Sequence, residues 1–427
     1  MTDTLVAFAD GLTMGTVTRR AKGQLAFVYT EEWLRWPNRY PLSVAMPLAA
    51  AEHGRGKIQP FLWGLLPDNE TVLSRWARQF QVSPRNVFGL ISRVGEDCAG
   101  AVQFVRPERL DAVQAGTRAQ VEWLDEAGVA ERLRALREDQ AAWRNLRDTG
   151  QFSLAGAQPK TALLFQQGRW GVPSGRIPTT HILKPPTEEF DGHAENEHFS
   201  LELARSFGLP VANSEVRRFR DEIAIVVERY DRQQVGNLVK RIHQEDICQA
   251  TGLPPTRKYQ SDGGPGVRDI AELLRTYSTS PAEDIHTFVD AIAFNWLIAG
   301  TDAHAKNYAL LVGAEAKVRL APLYDLASAL PYPGMHPLRL RLAMKIGGEY
   351  GLRSISRRHW ERLASETHLP ADEVLAGLRT MTAAMPERVA ATQQGVQAEG
   401  LVHPLLGRLV EQLLARAKEC RERLDRD

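Results

Sequence analysis

The residues best suited to chemistry lie in Gly300-Thr301-Asp302-Ala303-His304-Ala305-Lys306-Asn307-Tyr308, followed by Pro322-Leu323-Tyr324-Asp325. An aspartate, four residues and an asparagine is the spacing of a phosphotransfer catalytic loop, and the later aspartate stands where a second metal ligand would stand. Phosphoryl transfer asks for a carboxylate that orients and deprotonates the acceptor hydroxyl, and for oxygen ligands that hold Mg²⁺ against the phosphates. Asp302 suits the first task, and Asn307 and Asp325 suit the second. In isolation a structural role in turns describes the Asp–Asn pair better. His304 lacks a second His or Cys at ligand spacing, so a hydrogen-bonding loop residue describes it better than a zinc ligand.

The elements that must position these residues are legible around them. Ala291 to Ile298 reads as the apolar end of a helix, which Gly300-Thr301 breaks so that Asp302 reaches a loop. Tyr308 to Val312 and Val318 to Leu320 read as strands about Gly313-Ala314-Glu315-Ala316, hence a hairpin. Its pairing is expected to return the Asp325 segment beside the Asn307 segment.

Further upstream, Ser153-Leu154-Ala155-Gly156-Ala157-Gln158-Pro159-Lys160 is a run of small residues that opens onto a strand. Backbone N–H groups of such a loop can cradle phosphates, although a plain turn has the same composition. His181-Ile182-Leu183-Lys184 puts a lysine at the end of an apolar strand, either to neutralise phosphates with Glu197 as its partner or simply solvated. Val226 to Asp231 ends a strand with polar groups, as a hinge against an adenine edge would. The order of these elements along the chain is that of a kinase.

Composition bounds the rest. With 43% hydrophobic residues, 25% charged residues and a net charge of +1, the chain reads as an ordinary globular protein with no global attraction to nucleic acid or membrane. No basic leader precedes the first apolar run, and no stretch approaches a membrane span. Cys98, Cys248 and Cys420 are widely separated, which fits reduced thiols in a cytoplasm. Residues 1–110 read as a β-rich subdomain, with Leu5 to Phe8, Gln24 to Tyr29 and Ala101 to Val105 as strands and Val72 to Phe80 as a helix. Glu122 to Leu146 has the spacing of an amphipathic helix or helix pair. Residues 111–247 then read as a lobe carrying the phosphate loop and hinge, and 248–427 as a helical lobe carrying the catalytic loop. The fold expected is α+β: a two-lobed, protein-kinase-like fold with an additional N-terminal β-rich subdomain and an all-helical C-terminal lobe.

The sequence resembles the HipA family of serine/threonine kinase toxins from bacterial type II toxin–antitoxin modules. The resemblance is carried by Ser153 to Lys160, Thr180 to Lys184, Glu228-Arg229-Tyr230-Asp231-Arg232 and Gln244-Glu245-Asp246-Ile247-Cys248-Gln249. Lys258-Tyr259-Gln260-Ser261-Asp262-Gly263-Gly264-Pro265-Gly266 and Thr301 to Asn307 complete it. It implies ATP and Mg²⁺ as cofactors, Asp302 as catalytic aspartate, and Asn307 and Asp325 as metal ligands. It further implies ATP contacts at Ala155, Gly156, Ala157, Gln158, Lys160, Lys184, Glu228, Tyr230 and Lys306, with Ser153 as the autophosphorylated serine. The partners implied are a helix-turn-helix antitoxin of the HipB type, operator DNA through that antitoxin, and a protein substrate such as an aminoacyl-tRNA synthetase.

Two other functions fit the same residues: a small-molecule kinase, and a catalytically weak co-repressor that strengthens antitoxin binding to DNA. The intact Asp302, Asn307, Asp325 and Lys184 set argues against the co-repressor. Arg353, Arg357, Arg358 and Arg362 form a local basic cluster, readable as a solvated helix face or as a contact to DNA phosphates.

Overall fold

The computed structural model describes residues 3–116, 119–143, 153–236 and 238–425. The chain divides into two compact units. The first comprises Met1–Pro185, Arg217–Thr256 and Ala309–Val318, and the second Pro186–Val216, Arg257–Tyr308 and Arg319–Asp427.

The first unit opens with a five-stranded sheet in the order Glu52–Gly54, Leu25–Tyr29, Leu12–Arg19, Asp3–Ala9, Gln103–Val105. Helix Arg55–Gly64 buries Ile58, Phe61 and Leu62. A second sheet contains, in spatial order, Ser214–Phe219, Glu222–Glu228, His181–Lys184, Thr161–Gln166, Arg169–Pro173 and Val121–Leu124. Val129 and Leu133 of helix Glu126–Glu138 join Leu163, Trp170, Leu183 and Val226 in its core.

The expected amphipathic helix over 122–146 is therefore a strand followed by a helix. Asp125 makes the break: its carboxylate accepts the Gly128 N–H at 2.8 Å and caps the helix, leaving Val121–Leu124 to pair with Arg169–Pro173. Residues 144–146 of that expectation lie outside the described residues. A third sheet of Ala309–Val312 between His243–Asp246 and Val318–Leu320 contains the predicted hairpin, whose turn is closed by Gly313 N–H donating to the Lys317 carbonyl at 2.7 Å.

Helices dominate the second unit: His193–Ser206, Val267–Tyr277, Pro281–Ile298, Arg357–Thr367, Ala371–Ala398 and Pro404–Asp425. Helix Pro281–Ile298 is buried over nearly its whole second half, and Trp296 meets Trp360 edge-on at 5.4 Å. Strands also occur here. Arg341–Ile346 and Glu349–Gly351 form a ribbon turned at Gly347 and Gly348, and a Cβ on Gly347 would stand 2.0 Å from the His359 carbonyl oxygen. Among the described residues no helix is long and apolar enough to cross a membrane, and all three cysteines are buried and unbridged.

Candidate active site

Two groups of residues, one in each unit, carry the features read from the sequence. In the second unit the buried helix Pro281–Ile298 ends at Ala299, whose φ of 55° turns the chain out of helical geometry. Gly300 N–H donates to the Asn295 carbonyl at 2.8 Å, and a Cβ on Gly300 would stand 2.1 Å from Asn295 Oδ1. Asn295 is itself fixed, donating from Nδ2 to the Ala291 carbonyl at 2.9 Å. The helix end, the glycine and the asparagine thus deliver Asp302 to an exposed loop position.

The backbone of that loop is closed upon itself. The Asp302 carbonyl accepts His304 N–H at 2.7 Å and Asn307 Nδ2–H at 2.9 Å. With its amide nitrogen committed there, Asn307 presents Oδ1 as the atom able to ligate a hard cation. Tyr324 donates its phenol to the Lys306 carbonyl at 2.7 Å, so the Asp325 segment does return beside the Asn307 segment. Asp325 has φ of 54°, a conformation unusual for a residue with a side chain. His304, Lys306 and Asn307 are buried, while Asp302 is exposed. Among the described residues no group of three or more His, Cys, Asp and Glu side chains could hold a metal ion. The metal pair read from the sequence, Asn307 and Asp325, differs in kind, since it combines one carboxylate with an amide oxygen.

In the first unit, Ser153 is fully buried: its N–H donates to the Asp97 carbonyl at 2.9 Å and its Oγ to the Leu65 carbonyl at 2.7 Å. Asp68 N–H donates to the Gly156 carbonyl at 2.9 Å, so the 153–156 stretch is seated on residues 65–68 and on Asp97. Lys160, buried, reaches back across the loop to the Ala155 carbonyl at 2.8 Å, with its ammonium 5.4 Å from the Trp143 ring centre. Gly156 has φ of 102°, a conformation that favours glycine, and a Cβ there would stand 2.4 Å from Lys160 Nζ. Ala157 is exposed and Gln158 half-buried.

Lys184 is buried at the end of its strand and faces Ile225 in the neighbouring strand, whose last residue, Glu228, faces His181. Lys184 and Glu228 therefore mark opposite ends of one strand pair, three positions apart or about 10 Å. Burial lowers the His181 imidazole to about 4, so it is neutral at neutral pH. Tyr230 donates its phenol to the Gln244 side-chain oxygen. Glu197 belongs to the second unit, buried on helix His193–Ser206.

Sequence reasoning missed the ionic core behind these residues. Arg229 donates from Nη2 to Asp231 Oδ2 at 2.9 Å, Arg232 from Nη2 to Asp97 Oδ1 at 3.1 Å, and Arg241 from Nη1 to the same Asp97 oxygen at 3.0 Å. Thr179 donates both N–H and Oγ–H to Asp97 Oδ2, at 3.0 and 2.7 Å. Burial alone would raise the Asp97 carboxyl, but Arg241, Arg232 and Arg229 outweigh it and hold it below its ordinary value. The alternation Glu228-Arg229-Tyr230-Asp231-Arg232 after an apolar strand was the available signal for part of this core. Nothing near Asp97 announces it. The basic cluster at 353–362 is largely paired within its own surroundings: Arg353 with Glu419 at 3.1 Å, Arg357 with Glu361 at 2.8 Å and Arg362 with Glu366 at 3.0 Å. That pairing favours the solvated face.

Family models match on both parts of the chain: a HipA N-terminal domain over residues 5–105 and a HipA-like C-terminal domain over residues 152–389. The chain is 41% identical over 362 residues to the protein Y4mE of Sinorhizobium fredii, covering 84% of each. It is 29% identical over 376 residues to the serine/threonine-protein kinase toxin HipA of Shewanella oneidensis, covering 85% of this chain and 82% of the toxin. Among solved structures it resembles a chain of the Shewanella oneidensis toxin–antitoxin complex of HipA, HipB and operator DNA. That match has a TM-score of 0.81 and 26% identity, over 98% of this chain and 99% of the other.

Proposed function

The chain belongs to the HipA family of serine/threonine kinase toxins, and from that premise we propose that it transfers the γ-phosphoryl group of ATP to serine or threonine hydroxyls of a protein and thereby arrests growth. The observation that carries this reading is the closed loop at 302–307, with an exposed carboxylate at its head and the Asn307 amide committed to the Asp302 carbonyl.

In this mechanism Asp302 orients the acceptor hydroxyl and takes its proton as the oxygen attacks phosphorus. Asn307 and Asp325 would hold Mg²⁺ through oxygen, and the ion, when bound, would neutralise charge developing on the phosphates. Donor chemistry supports the fit in each unit taken by itself: the buried ammonium groups of Lys160 and Lys184 in the first unit suit phosphates, and the Asn307 amide oxygen and the Asp325 carboxylate in the second suit a hard cation. Backbone N–H groups of Ala155, Gly156, Ala157 and Gln158 would hold the phosphates, and Glu228 and Tyr230 would hold the adenine. Ser153 is the autophosphorylation site and the self-inactivating switch.

The resemblance to the HipA–HipB–operator complex supports a helix-turn-helix antitoxin of the HipB type as partner, with operator DNA engaged mainly through it. The substrate we propose is a translation component such as an aminoacyl-tRNA synthetase. Incubation of the chain with γ-labelled ATP, Mg²⁺ and a bacterial lysate tests the reading. A labelled protein band other than the chain itself is expected; label found only in small molecules would overturn the assignment of a protein substrate.

A further inference from the structure

Lys258-Tyr259-Gln260-Ser261-Asp262-Gly263-Gly264-Pro265-Gly266 has no role in the mechanism above, yet its backbone is tightly determined. The Tyr259 carbonyl accepts N–H groups from both Asp262 and Gly264 at 3.0 Å. Gly263 has φ of 82°, and a Cβ on Gly264 would stand 2.1 Å from the Arg257 carbonyl oxygen. A Cβ on Gly266 would stand 2.3 Å from Gln260 Nε2, and Gln260 Oε1 in turn accepts Lys345 N–H at 2.7 Å. At Gly264 any side chain would collide with backbone, and the positive φ of Gly263 favours glycine.

This fixed loop meets the candidate catalytic loop at three successive features. The Lys258 carbonyl accepts Ala305 N–H at 3.1 Å. The Tyr259 ring packs edge-on against His304, with centres 5.0 Å apart. The Tyr259 phenol donates to Asp302 Oδ1 at 2.6 Å. An exposed aspartate on a loop otherwise rotates freely about its side-chain bonds, and only that phenol among its described hydrogen bonds holds the carboxylate itself.

We infer that Tyr259 is a positioning residue for the phosphotransfer proposed above: its phenol pins Asp302 Oδ1 and leaves Oδ2 to accept the proton of the incoming hydroxyl. The inference rests on the reading of Asp302 as base. In the step, the acceptor O–H bond breaks and its proton passes to Oδ2. The acceptor oxygen bonds to the γ-phosphorus, and the bond from that phosphorus to the nucleoside diphosphate breaks. Tyr259 keeps its own proton throughout. A phenol in this place could instead block the seat of the acceptor hydroxyl and swing away on substrate binding. The doubly bonded Tyr259 carbonyl, the packing on His304 and the bond from Ala305 to Lys258 all oppose such a swing.

The test uses the full chain as wild type, Tyr259→Phe, Asp302→Asn and the double variant, with kcat and KM from labelled ATP and nucleotide affinity from calorimetry. Phenylalanine keeps the ring on His304 and removes only the donor. Loss of a hydrogen bond to a charged group is expected to lower kcat about 10- to 100-fold while ATP affinity stays within about 2-fold. In the Asp302→Asn background the same change is expected to cost nothing further, because the group it positions is already gone. An unchanged or increased kcat in Tyr259→Phe, additive losses in the double variant, or a parallel fall in ATP affinity would each overturn the positioning role. A wild-type chain that transfers no phosphate would instead remove the reading of Asp302 on which this role depends.

Discussion

Replacing Ser153 by aspartate should release the 153–160 loop from its seat, and the size of the effect follows from three hydrogen bonds. Ser153 Oγ donates to Leu65, Ser153 N–H donates to Asp97, and Asp68 N–H donates to Gly156. At about 1 kcal/mol net each, they hold the seated state by about 3 kcal/mol, a factor of about 100 in the opening equilibrium. An aspartate cannot donate to the Leu65 carbonyl, and its charge would be buried where the serine is fully enclosed. Burying an uncompensated charge costs several kcal/mol, more than the seat provides, so the loop leaves. A phosphoserine, with more charge and bulk, should do the same more completely. Ser153→Ala is the graded comparison: it removes only the Oγ donor, at about 1–3 kcal/mol for the carbonyl left behind. Hydrogen exchange at the Ser153 and Asp68 amides reads the seat directly, and calorimetry with ATP reads its consequence. Both amides should exchange faster in Ser153→Asp, with weaker nucleotide binding. Wild-type protection at both amides would refute the reasoning.

Gly300→Ala should destabilise the second unit by about 1–3 kcal/mol, because the added carbon would stand 2.1 Å from Asn295 Oδ1, whose side chain is held by its bond to the Ala291 carbonyl; the denaturation midpoint checks it. Glu245 is fully buried and accepts Val44 N–H at 2.7 Å, and burial raises its carboxyl to about 8 from an ordinary 4.5. Its folded value lies above the unfolded one, so the folded state binds the extra proton and stability should fall as pH rises from about 4.5 to about 8. Glu245→Gln should flatten that part of a melting-temperature profile, and an unaltered slope would count against it. Asp97→Asn removes one of the two carboxylates of a buried ion network and should cost about 3–5 kcal/mol, measured by chemical denaturation.

What the sequence made legible was local. The helix end, Gly300 and the Asp302 to Asn307 spacing lie within a few residues, so composition and periodicity suffice to read them. The hairpin about 313–316 then placed Tyr324 against Lys306 by strand pairing, a consequence of turn position alone. Long-range partners were not legible. Tyr259 reaches Asp302 across 43 positions, and Asp97 meets Arg232 and Arg241 across 135 and 144, with no pattern in one sequence linking them. The helix read over 122–146 is present as Glu126–Glu138, and its start was misplaced for another reason. Val121–Leu124 carries apolar residues at alternate positions that also fit a helical period, and only the Asp125 cap and the neighbouring strand decide between the two.

The central claim is that Asp302 is the base of a phosphotransfer reaction. The most direct measurement incubates purified wild type and Asp302→Asn with γ-labelled ATP and Mg²⁺ and counts phosphate transferred to protein. Asp302 is exposed, so the substitution should leave the fold intact, with an unchanged melting curve, while transfer falls about 10²- to 10⁴-fold. Equal transfer by the two proteins, or none by the wild type, would contradict the account.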